Sequence, residues 1–169
     1  MPNYITNFVT ITGKADTLYT IMRDMHSDGS DGDVFDEPND FDFKNIIPIP
    51  PDGEANDYWG SCSNSLDVYT KVNADTLHTL LYKFKTTWSN PAFVIRELSK
   101  KYNVTVECRY YDEDFGYNVG TYVYINGILA GKRRLDEKYD EIAKVFGEDV
   151  MKINGMVFEN GRWKHSSEY

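Results

Sequence analysis

The stretch Lys85-Thr-Thr-Trp88-Ser-Asn-Pro91-Ala-Phe-Val-Ile-Arg96 constrains the fold more than any other, because its hydrophobic period changes from that of a strand to that of a helix. Leu80, Tyr82, Phe84, Thr86 and Trp88 share one face of a strand, with Lys83 and Lys85 opposite. Ser89-Asn90-Pro91 then offers a polar cap and a proline for the first helical position. Phe93, Val94, Glu97 and Leu98 continue that helix toward Tyr102.

The same reading extends in both directions. Tyr4 to Thr12 alternates β-branched and aromatic residues, as a strand does, and Gly13 ends it. Leu18, Ile21, Met22 and Met25 fall at helical spacing, with Asp16 or Thr17 as the expected cap. Ser65 to Lys71 is a strand candidate, joined to the Leu80 strand around Asn73-Ala-Asp-Thr. Val104, Val106, Cys108 and Tyr110 mark one side of a further strand. Asn126-Gly127, between Asn118–Ile125 and Ile128–Arg133, is the strongest short hairpin signal. A helix over Asp136–Phe146 and a closing hairpin around Asn160-Gly161 complete the chain.

In order, the core reads strand, helix, two strands, helix, strand. This is an α+β chain with a ferredoxin-like βαββαβ sandwich, extended by a β-hairpin and by a C-terminal helix plus hairpin. The expectation is a single domain over 1–169, with a core in 1–125 that includes an acidic loop over 27–43, and an extension in 126–169. Ile46-Ile-Pro48-Ile-Pro50-Pro51 has too many prolines for a central strand and is read as a strap over the core edge.

The charge balance of 27 acidic against 18 basic residues, a net charge of −9, argues against a nucleic-acid partner, since phosphate neutralisation supplies most of such affinity. It suits a basic protein partner instead. No apolar run approaches the ~20 residues of a membrane span. The opening residues lack a signal-peptide pattern, so the expected location is the cytoplasm and the expected state of Cys62 and Cys108 is reduced.

A family resemblance rests on Met1-Pro-Asn3 through Thr10-Ile-Thr-Gly13, Phe41-Asp-Phe43 with Ile46-Ile-Pro48-Ile-Pro50, Trp59-Gly60, Thr87-Trp88-Ser89-Asn90-Pro91 and Glu107-Cys-Arg-Tyr-Tyr111. On these motifs, within about the first 125 residues, the chain resembles the YubB-type ferredoxin-like domain family of phages and plasmids. The resemblance implies a fold, a mobile-element origin and a bacterial host cytoplasm, and no reaction. One departure is Ser61-Cys62-Ser63, where family members usually carry an aromatic residue or a lysine.

Two groups of residues are candidate sites. The first is the acidic segment with Asp28, Asp31, Asp33, Asp36, Glu37 and Asp40, read as a partner-facing surface; a solvated loop accounts for the same composition. An EF-hand does not fit, because a loop begun at Asp28 places Gly32 one position early and one begun at Asp31 places Asp36 where glycine belongs. The second is a ligand pocket formed by Trp59, Trp88, Glu107, Arg109 and Tyr111, beside which stands the simpler reading of tryptophans buried against the sheet. Tyr82, Phe84, Tyr110, Tyr122 and Tyr124 are read as core, with base stacking as the rival role. Neither a catalytic set, a metal site nor a cofactor is expected.

The function expected from these readings is that of a small acidic mobile-element protein that binds and inhibits a host defence protein, itself a nucleic-acid-binding one in the most concrete version. A nucleotide- or small-ligand-binding domain is the alternative.

Overall fold

The computed structural model describes residues 2–29, 37–72 and 78–166. Among the described residues, eight strands and five helices follow in the order β1 (Tyr4–Thr12), α1 (Ala15–Met25), α2 (Ala55–Trp59), β2 (Leu66–Val72), β3 (Thr79–Thr87), α3 (Ala92–Tyr102), β4 (Thr105–Asp112), β5 (Gly120–Ile125), β6 (Ile128–Arg134), α4 (Tyr139–Phe146), α5 (Glu148–Ile153), β7 (Met156–Glu159) and β8 (Arg162–His165). A 3-10 turn over Phe43–Asn45 precedes α2. The main sheet has the order β2-β3-β1-β4-β5-β6 with every neighbouring pair antiparallel. Its first four strands, with α1 and α3, form the expected ferredoxin-like unit, and the β5–β6 hairpin widens it beyond β4.

The two faces of the sheet differ because the strands alternate. In β1, Ile5, Val9 and Ile11 are fully buried with Leu18, Ile21 and Met25 of α1 and Val94, Ile95 and Leu98 of α3. Leu80, Tyr82 and Phe84 of β3 and Val106, Cys108 and Tyr110 of β4 complete that core. Phe41 and Phe43 drive into it, with the Phe41 ring centroid 4.4 Å from that of Tyr82 and 5.1 Å from that of Phe84. The proline-rich strap packs on the same core through Ile46, Ile47 and Ile49, and the Trp59 indole donates to the Ile47 carbonyl at 2.8 Å.

On the opposite face, Phe8 and Tyr111 meet a second core made by Phe115, Val119, Leu135, Ile142, Met151, Met156 and Trp163. The C-terminal extension therefore lies over the side of the sheet that α1 and α3 leave bare. Asn126-Gly127 and Asn160-Gly161 take positive φ at both residues, +53° and +79° in the first and +52° and +79° in the second, as a tight two-residue hairpin turn requires.

Local details differ from expectation. The residue that caps α1 is Lys14 and its side chain forms no cap, whereas Asp16 lies in the first turn, where its carboxylate faces the positive end of the helix dipole. Pro91 is the cap residue of α3 rather than its first residue. Trp88 leaves the buried face of β3: its φ is +68°, which breaks the alternation, and its side chain is exposed. The short α2 and α5 carried no periodic signal, having fewer than two turns each. The Asn73-Ala-Asp-Thr connection lies outside the described residues.

Candidate binding face

Strand register determines which side chains share the bare face. One row across the sheet runs Tyr69, Lys83, Phe8, Arg109, Thr121, Arg133; a second runs Lys71, Leu81, Thr10, Glu107, Val123, Gly131; a third holds Lys85, Thr6 and Tyr111. The α4 end covers part of these rows. Phe146 packs on Phe8 and Tyr111 with centroids 5.9 and 5.4 Å apart, and the Arg109 guanidinium donates to the Val145 carbonyl at 2.8 Å.

The β2–β3 side is uncovered. There Tyr69 is 58% exposed, and Lys71, Lys83 and Lys85 are exposed beside it. A groove of about 580 Å³ runs between Thr6, Asp67, Tyr69, Lys83, Lys85 and Tyr111. Lys85 pairs with Asp67 at 2.8 Å, and that bond raises the Lys85 ammonium above its usual range, keeping it charged. Lys83 sits 5.4 Å from the Phe8 ring and has no carboxylate partner among the described residues; neither has Lys71. At the far end, Arg109 lies 3.6 Å from Glu107, and Arg133 binds Glu141 at 2.7 Å. Along these rows of the face, the cations without a carboxylate partner among the described residues are therefore Lys71 and Lys83.

The residues expected to form one pocket are divided by the sheet. Trp59 is buried in the core on the α1–α3 side, against Phe43. Glu107, Arg109 and Tyr111 point to the other face, and Trp88 stands exposed at the β3–α3 junction, 56% accessible. Residues that follow the two tryptophans do converge: Gly60, Ser89 and Asn90, with Phe93, Tyr110, Tyr122, Tyr124 and Lys132, line a cavity of about 290 Å³ between α3 and the β5–β6 hairpin. The Asn90 side-chain oxygen is buried without a hydrogen-bond partner, and the Tyr122 hydroxyl has the Cys108 thiol beside it. Tyr82, Phe84, Tyr110 and Tyr122 are buried on the helix-covered side and Tyr124 packs against them, so none of these presents a stacking face on the bare side.

Of the acidic candidates, Asp31, Asp33 and Asp36 lie outside the described residues, and Asp28, Glu37 and Asp40 within them. The roots of this segment are pinned. Ser27 and Asn39 exchange both backbone hydrogen bonds at 2.8 Å, and the Asn39 side chain joins Ser65 and Phe41. The Asp42 carboxylate accepts from the Lys44 amide at 2.9 Å and from the Asn64 amide at 2.7 Å. Asp40 itself faces His26, 2.9 Å from its Nδ1.

Both cysteines are free thiols, Cys62 exposed and Cys108 buried, and burial pushes the Cys108 thiol up to about 12. Among the described residues no group of His, Cys, Asp and Glu is arranged to hold a metal ion, and no helix is long and apolar enough to cross a membrane.

The sequence places Lys83 and Lys85 on the outward side of their strand but marks no site there, and it marks neither Tyr69 nor Lys71. The signal was the outward half of each alternating strand, which looks like ordinary solvated surface until register sets β2 beside β3.

A search of curated proteins finds no match. Among solved structures, the crystal structure of a protein api92 from Yersinia pseudotuberculosis is similar to this chain with a TM-score of 0.60 and 10% identity, over 79% of this chain and 98% of that one. At that identity the likeness is one of fold. The family model described as "Ferredoxin-like domain in Api92-like protein" matches residues 66–154, more than half of the chain. The match runs past residue 125 through β6, α4 and α5, further than the motifs that first suggested a family. The chain belongs to the family of ferredoxin-like domains in Api92-like proteins.

Proposed function

We propose that this chain is a phage- or plasmid-encoded binding protein that inhibits a basic host or defence protein, presenting the carboxylates of its acidic segment to that partner's nucleic-acid-binding surface. Mobile-element origin follows from the YubB-type resemblance, and the bacterial cytoplasm is the compartment that goes with it. The observation that carries the reading is the pinned base of the segment. The Ser27–Asn39 bridge and the Asn39, Asp42 and Asn64 side chains fix where Asp28, Glu37 and Asp40 leave the core. Fixing these roots lowers the entropy lost when a partner contacts Asp28, Glu37 and Asp40, and a block of one charge sign accelerates encounter with the opposite sign.

The test is co-purification of the tagged chain from a bacterial lysate at low salt, repeated with Asp28→Asn/Glu37→Gln/Asp40→Asn. A stoichiometric protein that is released by salt and lost with the triple variant supports the reading. A partner indifferent to both removes it.

A second reading is favoured by the aromatic cavity beside Ser89, Asn90 and Lys132, whose rings and polar groups suit a small polar ligand with a stacking ring. A nucleotide panel in a thermal-shift assay tests it, since a ligand of the native state raises the melting temperature by mass action. No shift with any nucleotide, or a shift that survives Lys132→Ala and Asn90→Ala, removes this reading.

A further inference from the structure

We propose that the uncovered β2–β3–β1 part of the bare sheet face binds a single strand of nucleic acid. The three strands carry Lys71, Lys83 and Lys85 against one acid, Asp67, which Lys85 already occupies. β1 contributes no charge, and Thr6 and Thr10 lie half-exposed between the lysines and the α4 wall. Lys83 and Lys85 are two residues apart on one strand, about 6.8 Å along it. Lys71 stands on the neighbouring edge strand, so the three ammonium groups can follow a phosphate backbone rather than meet one anion.

Chemistry selects the occupant. Tyr69 pairs across the ladder with Lys83 and is more than half exposed, which places an aromatic ring beside the cations on an otherwise polar surface. A lysine groove with an aromatic platform suits unstacked bases with their backbone. A duplex is read by an element that enters a groove, and the described residues that carry this part of the face are strand residues of the sheet. An acidic peptide offers the lysines partners but leaves Tyr69 nothing to stack on.

The expectation that a chain of net charge −9 avoids nucleic acid sums over the whole molecule. A binding strand meets the local field, because exposed charges are screened beyond about 8 Å at physiological salt. Of the described acids of the pinned segment, Glu37 and Asp40 line a cleft with Leu66, Asp67 and Val68 at the first residues of β2, whereas Lys71 lies at the other end of that strand and Lys83 on the adjacent one.

The proposal is independent of the acidic-segment reading, and the variants differ. Fluorescence anisotropy of the full chain with labelled oligo-dT and oligo-U, across a salt series that includes physiological strength, reads binding directly. The expected result is saturable binding. Its log-log salt slope falls by about 1.4 in Lys71→Gln/Lys83→Gln, because two phosphates of the single strand are no longer neutralised. Tyr69→Ala is expected to weaken binding at least about fivefold, the effect of losing one stacked base. Lys83→Arg retains affinity, and Lys152→Gln/Lys164→Gln, with the same charge change on α5 and β8, leaves it intact. Circular dichroism establishes that each variant is folded. Absence of binding by the native chain, equal loss in the two double variants, or a duplex of the same length binding as tightly as the single strand each overturns the proposal.

Discussion

The Arg109 guanidinium donates to the Val145 carbonyl at 2.8 Å and lies between the Phe8 and Phe146 rings, 5.6 and 6.0 Å from their centroids. Val145 is in the last turn of α4, where carbonyls have no partner within the helix. A β4 side chain thus caps a helix of the C-terminal extension and holds it on the sheet. Arg109→Met is expected to cost about 1.5–3 kcal/mol, the range for losing a hydrogen bond from a charged group. Urea denaturation measures the total, and hydrogen exchange of the α4 amides locates it. Arg109→Lys keeps the charge without the planar fork and is expected to recover only part of the loss.

The segment from Phe41 to Phe43 belongs to the core although it adjoins the acidic segment. Phe41 is fully buried between Tyr82 and Phe84. Phe41→Ala is expected to destabilise the chain by about 3–5 kcal/mol, as large-to-small changes at buried aromatics do. The neighbouring exposed change Glu37→Gln is expected within about 0.5 kcal/mol of the parent. Thermal or chemical unfolding of the two variants separates them; equal effects would refute this partition of the segment.

The ferredoxin-like order was legible because each core strand and helix announces its own period. Leu80, Tyr82 and Phe84, and Val104, Val106 and Cys108, face inward as alternation predicts. The candidate face was not legible. Which outward residues become neighbours depends on strand order and register, set by packing far away in sequence: Tyr69 meets Lys83 only because β2 pairs with β3, and Phe8 meets Arg109 only because β4 lies beside β1. The supposed pocket failed to assemble for the same reason, since residue spacing does not reveal that Trp59 and Arg109 occupy opposite sides of a sheet. Net charge is silent in a related way: composition carries no information on where cations stand, here Lys71, Lys83 and Lys85 on the outward side of β2 and β3.

Asp24 links α1 to α3 and makes stability depend on pH. Its carboxylate accepts from Arg23 at 2.8 Å and from the Tyr102 hydroxyl at 2.9 Å, and these bonds, Arg23 first, hold it below the usual aspartate range. A group whose folded pKa is depressed adds stability above its unfolded pKa and loses it as pH falls through the folded one. Tyr102→Phe is therefore expected to raise the Asp24 pKa toward the ordinary value. The variant should be less stable than the parent near neutrality, with the difference shrinking in acid. Carboxyl NMR titration reads the pKa, and melts at several pH values read the linkage; a constant gap down to the lowest pH would contradict it.

The two thiols provide a check on burial that needs no variant. Cys108 is enclosed in the core with its thiol held protonated by burial, whereas Cys62 is exposed beside α2. Reactivity requires the thiolate and access to it. Ellman's reagent is expected to titrate one thiol rapidly in the native chain and two after denaturation. Rapid release of both in native buffer would place Cys108 outside the core.

Trp88 and Trp59 separate strain from packing. Trp88 holds a φ of +68° with its side chain 56% exposed, a left-handed conformation that costs a residue with a Cβ and costs glycine little. Trp59 is 4% exposed, packs edge-on against Phe43 and donates to the Ile47 carbonyl. Trp88→Gly is expected to leave stability within about 1 kcal/mol of the parent, because relief of the backbone offsets the lost half-exposed ring. Trp59→Phe fills most of the volume but abandons the Ile47 carbonyl, at an expected cost of about 1–3 kcal/mol. Denaturation curves give both values, and acrylamide quenching of the remaining tryptophans shows which ring was in water. If Trp88→Gly costs as much as Trp59→Phe, the exposed tryptophan is fastened by interactions stronger than its strain.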